Sequence, residues 1–210
     1  MARTAAISAA IAVVAGLAVT AGFIRMAGSD DPFADCRTTK IAGGSAAIGG
    51  PFTLVDEDGK TVTDKEVLTS PALVYFGYTF CPDICPFDSA RNADAVDLLA
   101  ANGIEVTPVF ISVDPKRDTP ARLREFTDEI HPGMIGLSGS AEQVKAASQA
   151  YRTYFRINDQ DDPEFYMVDH STFTYLVLPE TGFVEFFDRE TTPETMAEKT
   201  ACFISANPGV

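Results

Sequence analysis

Positive charge is scarce in this chain. Over 210 residues, 16 Lys and Arg stand against 30 Asp and Glu, a formal net charge of −14. The first 27 residues hold two of those bases, Arg3 and Arg25, and no acid, so the remainder sets 14 against 30, a net −16. A field of that sign repels phosphate backbones and argues against nucleic-acid binding. Histidine is rarer still, with two in the whole chain, and cysteine occurs four times. No second Cys pair stands at a spacing that would complete a four-ligand structural zinc site. The sequence has no internal period, which removes the repeat architectures.

What is present suits one globular domain and something extra. Hydrophobic residues make up 46% and charged residues 22%, enough for a proper core under an ordinary soluble surface. Ala5 to Ile24 is an uncharged run of 20 residues rich in Ala, Val and Ile. As a helix it would span about 30 Å, the thickness of a bilayer core. Arg3 and Arg25 flank it on both sides and leave its orientation unread. Residues 1–26 therefore read as a membrane anchor, or as a signal peptide cut near Val19-Thr20-Ala21. Both readings export the rest of the chain. Residues 27–50, with Gly43-Gly44-Ser45 and Gly49-Gly50-Pro51, have the chemistry of a flexible tether. The folded domain is expected over residues 51–210.

Within that domain, Phe52 to Val55 and Thr61 to Thr63 flank a polar turn and predict a β-hairpin. Ala72 to Gly77 and Val106 to Val113 are continuous apolar runs, as in strands buried on both faces. Pro86 suits a first helical position, and Asn102-Gly103 a helix stop. Further helices are expected from Pro120 to Ile130, from Ser140 to about Tyr154 and from Pro193 to Ser205. Ile135 to Leu137 reads as a short strand and Glu164 to Val168 as an edge strand. Thr172 to Leu178 and Phe183 to Phe187 form a second hairpin. The alternation of β and α predicts an α/β fold, a central mixed sheet flanked by helices.

The chemistry concentrates in Cys81-Pro82-Asp83-Ile84-Cys85-Pro86, at the junction of a buried strand and a helix. A helix start offers free N–H groups and the positive end of the dipole, both of which favour thiolate over thiol. Spacing of i, i+4 sets the two sulfurs on one face if the segment is helical. Two thiolates could exchange with a disulfide or bind a metal. His170, in Val168-Asp169-His170-Ser171 before the second hairpin, adds an imidazole. Two thiolates and one imidazole make a soft-to-borderline site suited to Cu(I) and tolerant of Cu(II). Asp169 or another oxygen is expected to orient the ring. His131, before Pro132, reads as a helix-terminus residue, and Asp118-Thr119-Pro120 as capping chemistry in a segment that supports the site loop.

Three segments carry a resemblance. They are Tyr75-Phe76-Gly77-Tyr78-Thr79-Phe80-Cys81-Pro82-Asp83-Ile84-Cys85-Pro86, Ile111-Ser112-Val113-Asp114-Pro115-Lys116-Arg117-Asp118-Thr119-Pro120, and Tyr166-Met167-Val168-Asp169-His170-Ser171. In this order and spacing, over roughly residues 51–205, the chain resembles the SCO/SenC family of copper proteins required for cytochrome c oxidase assembly. The resemblance implies a thioredoxin-like fold tethered by one N-terminal helix, and copper held by Cys81, Cys85 and His170. It also implies copper delivery to the dinuclear copper centre of an oxidase subunit, or reduction of that subunit's thiols. Phe80 departs from the polar residue that several members carry. In a bacterium, this would place the domain on the periplasmic side of the inner membrane.

The leading expectation is a metallochaperone and not an enzyme in the turnover sense. The rivals are a thiol–disulfide oxidoreductase, with Cys81 and Cys85 as the catalytic pair, and a redox or copper sensor. The remaining cysteines, Cys36 in the tether and Cys202 in the last helix, are expected to pair as a disulfide in an exported chain, the alternative being two small, poorly reactive thiols.

Overall fold

The computed structural model describes residues 31–37, 47–160, 162 and 164–207. The chain divides into Met1–Ala34 and Asp35–Val210. Of the first unit, residues 31–34 are described and form a turn in which the Ala34 amide donates to the Asp31 carbonyl. The anchor expected over residues 1–26 lies outside the described residues, as do residues 38–46 of the tether. Among the described residues, no helix is long and apolar enough to cross a membrane.

The second unit is built on a seven-stranded mixed sheet. Its centre is β3 (Ala72–Gly77), every residue of which is buried. β3 runs parallel to β4 (Thr107–Ser112), and β4 runs parallel to β5 (Ile135–Ser138). The hairpin of β1 (Thr53–Asp56) and β2 (Thr61–Thr63) adds antiparallel to β5. On the other side, β8 (Thr174–Leu178) adds antiparallel to β3 and folds back as β9 (Gly182–Phe187). The parallel core with antiparallel edges is the mixed sheet that the sequence predicts. Fully buried side chains such as Leu54, Val74, Phe76 and Leu137 hold it together, each worth about 1.5–3 kcal/mol.

Five helices accompany the sheet among the described residues. α1 (Asp64–Val67) is a single turn that the sequence reading did not foresee. α2 (Ile84–Ala100) leaves the C-terminal end of β3 and packs against α5 (Pro193–Ala206). α3 (Pro120–Ile130) packs on β5, and α4 (Ala141–Ala150) on β1. Caps explain the starts. Thr119, Ser140 and Thr192 each accept an amide three residues on, and Pro120 and Pro193 occupy first-turn positions that need no amide.

Several boundaries differ from expectation. α2 begins at Ile84, so Pro86 is its third residue; its missing N–H is still one of the unpaired first-turn donors. α4 ends at Ala150, four residues short of Tyr154. Asp118 does not cap α3, because Thr119 does. The strand expected over Glu164 to Val168 is displaced. β7 is Val168–His170, and it pairs with β6 (Phe155–Ile157) as a separate two-stranded ribbon, with Phe155 opposite His170. The alternation that suggested a strand is real, since Phe165 and Met167 are exposed while Tyr166 and Val168 are buried. The Tyr166 carbonyl, however, is taken by Arg117 and not by a neighbouring strand.

Candidate metal centre

β3 delivers the chain to the rim of the sheet, where ligands bind in open α/β folds. After Gly77 the backbone turns, with the Cys81 amide donating to the Tyr78 carbonyl at 3.3 Å. It then enters α2 with Cys85 as the second helical residue. Gly77 is required by packing. A methyl group there would lie 3.0 Å from Cys85 Sγ and 2.9 Å from both Phe110 and Tyr75. Thr79 is held from below by a buried carboxylate. Asp118 accepts from the Thr79 amide at 3.0 Å, the Thr79 hydroxyl at 2.6 Å and the Ser112 hydroxyl at 2.5 Å. Burial raises the Asp118 pKa, and those donors oppose the rise.

The structure brings Cys81, Cys85 and His170 together. One ligand atom from each lies within 4.8 Å of the others, close enough for one ion to reach all three. Cys85 is fully buried, Cys81 nearly so and His170 half-buried. His170 arrives from β7 with its ring flanked edge-on by Tyr75 and Tyr78, at centroid distances of 6.2 and 5.7 Å. Its Nδ1 lies 2.9 Å from the carbonyl oxygen of Ser171. A carbonyl only accepts, so Nδ1 carries the proton and Nε2 presents its lone pair. That lone pair faces Cys85 Sγ at 3.3 Å. The ring is thus oriented by Ser171 and not by Asp169, which faces Arg156 at 3.7 Å. A neutral imidazole with one nitrogen donating to a carbonyl and the other free is the form that ligates metals.

The two thiols are not equivalent. Cys81 is driven well below the usual thiol range, first by a hydrogen bond from the Cys85 thiol and further by donation from the Cys85 and Asp83 amides, all against the cost of burial. The Cys85 amide lies 3.3 Å from Cys81 Sγ. The helix start therefore points its free N–H groups at Cys81. Cys85 is driven up by burial and by the neighbouring Cys81 sulfur. One proton serves the pair: Cys81 is the thiolate and Cys85 keeps its hydrogen. Tyr78 is pushed up to about 12, mainly by burial, and stays a neutral phenol beside them. Tyr75 also rises through burial, with its hydroxyl donating to the buried Asp88 at 3.0 Å.

His131 takes no part. It ends α3, accepts from the Gly133 amide at Nδ1 and faces Asp97 through Nε2. Cys36 and Cys202 are joined as a disulfide, with their Cα atoms 5.7 Å apart. The sequence reading missed the contributions of Gly77, Tyr75, Tyr78 and the Ser171 carbonyl. Only the first three left a signal, as part of the run that precedes Cys81.

Comparison with known proteins adds to this geometry. The SCO1/SenC family model matches residues 41–205. Protein SenC of Rhodobacter capsulatus is 54% identical over 204 residues, covering 97% of this chain and 91% of that protein. The crystal structure of Arabidopsis thaliana ScoI with copper bound superposes with a TM-score of 0.71 at 41% identity, covering 76% of this chain and 99% of that one. Yeast Sco1 with copper bound gives 0.71 at 37% identity, covering 77% and 90%.

Proposed function

Since the chain belongs to the SCO1/SenC family, we propose that it is a copper metallochaperone for the dinuclear copper centre of cytochrome c oxidase. Cys81, Cys85 and His170 are its ligands. The observation that carries this reading is the convergence of two sulfurs and an imidazole nitrogen with its lone pair free. Soft thiolates select Cu(I), and imidazole extends the site to Cu(II). Copper is cargo here. Incoming partner thiolates replace the protein's own one at a time, so the ion is never free.

The surroundings suit a visiting partner. Phe80, Phe87, Phe165, Met167 and Phe173 are exposed, and each lies within five residues of a ligand in sequence. A partner that reaches the buried sulfurs would cover this apolar surface. The Cys36–Cys202 disulfide fits an oxidising compartment. With residues 1–26 as the anchor, the domain would face the exported side of the inner membrane.

The unequal thiols also favour a second reading, reduction of the oxidase subunit's cysteines. The Cys81 thiolate would attack a partner disulfide and release one partner thiolate. Cys85 would then attack Cys81 Sγ and free the second, its proton passing to the departing sulfur. Two electrons leave the pair, which ends as a Cys81–Cys85 disulfide while the partner ends as a dithiol. The deciding experiment mixes the protein with the purified copper-centre domain of the oxidase subunit. Copper moving from the loaded protein to the reduced, copper-free domain supports the chaperone. No copper transfer, with disulfide reduction by the copper-free protein, supports the oxidoreductase and overturns the first reading.

A further inference from the structure

The loop between β4 and α3 carries one arginine. Arg117 is nearly buried, and its Nε donates to the fully buried Asp114 at 2.5 Å. Its Nη1 donates to the Tyr166 carbonyl at 2.9 Å and to that of Glu164 at 3.5 Å. The Tyr166 hydroxyl returns to Asp114 at 2.7 Å, closing a ring of contacts. The guanidinium carbon also lies 3.5 Å from the centroid of the Tyr166 ring and 4.6 Å from that of Phe80. Tyr166 leads into β7, which carries His170. Phe80 directly precedes Cys81.

We propose that Arg117 is the positioning residue of this centre, clamped by Asp114 so that one guanidinium fastens the segment carrying His170 to the loop carrying Cys81. The inference rests on the copper reading above. A guanidinium suits the task because it is planar, bonds in its plane and stacks on aromatic faces, whereas an ammonium does only part of this. It also gives the exposed ring of Phe80 a function, as the outer cover of the clamp. The two cysteines sit in one short segment and keep their spacing without Arg117. The histidine comes from a separate ribbon and depends on it. The clamp therefore governs Cu(II), which needs the imidazole, more than Cu(I), which the thiolates hold.

The test compares the full chain with R117A, R117K, F80L and H170A. Cu(I) and Cu(II) affinities are measured by chelator competition, and nitrogen coupling in the Cu(II) paramagnetic resonance spectrum is recorded. For R117A, Cu(II) affinity should fall about 10- to 100-fold, as for other residues that orient a ligand, with weakened nitrogen coupling and little change in Cu(I). R117K should not rescue it, and F80L should show a smaller loss of the same kind. Equal losses of both ions, or none, would overturn the clamp. If R117A does not fold, R117K and F80L decide by the same criterion. H170A separates the levels: Cu(II) binding that survives it defeats the ligand assignment itself.

Discussion

The proton on His170 is assigned by one backbone oxygen, that of Ser171, and the proton shared by the cysteines by the helix start that faces Cys81. Reactivity follows. In the reduced, copper-free protein, Cys81 should react with iodoacetamide at a rate that stays flat as pH falls well below the ordinary thiol value of about 8.5. Cys85 should resist until the protein unfolds. The sign is set by the lowered folded-state pKa of Cys81. Its thiolate stabilises the fold fully above the unfolded value of about 8.5, and that contribution is lost as pH falls through the folded value. A reaction rate that titrates near 8.5 would refute the assignment. Gly77→Ala should displace Cys85 and weaken copper binding, because the added methyl would meet Cys85 Sγ at 3.0 Å; the spectrum of the Cu(II) form would reveal it. The residue types of the ligands were legible because so few cysteines and histidines compete for the role. Asp118 was not, because an acid before Thr-Pro looks the same whether it caps the next helix or reaches back to Thr79.

At the scale of elements, the two neighbours Asp118 and Thr119 divide the labour that sequence assigns to both. Thr119→Ala removes a cap and should cost about 1 kcal/mol in urea unfolding, with copper binding unchanged. Asp118→Ala strands the Thr79 amide and hydroxyl and should lower both stability and copper affinity. Equal behaviour of the two variants would contradict the division. The strands and long helices were legible from their apolar runs and caps. The β6–β7 ribbon was not. Its strands are three residues each, too short for periodicity, and the alternation at 164–168 comes from a segment whose Glu164 and Tyr166 carbonyls are taken by Arg117. The role of β5 inside the sheet was equally hidden, since it depends on the β1–β2 hairpin returning from far along the chain.

At the scale of the molecule, the Cys36–Cys202 bridge spans 166 residues and ties the segment before the sheet to the last helix. Closing so long a loop restricts the unfolded chain. The C36S/C202S variant should lose about 2–5 kcal/mol in urea unfolding while still binding one copper. Unchanged stability would contradict this role. The pairing was legible by elimination, once Cys81 and Cys85 were given to the site. Phe80, Phe87, Phe165, Met167 and Phe173 remain exposed, and all lie close in sequence to the three ligands.

The central claim is that Cys81 and Cys85 hold copper for transfer. An anaerobic Cu(I) titration of the reduced full chain against a competing chelator tests it most directly, with the C81A/C85A variant alongside. The account predicts one tight equivalent in the native protein and none in the variant. Absence of tight binding in the native protein, or its survival without the two sulfurs, would contradict it.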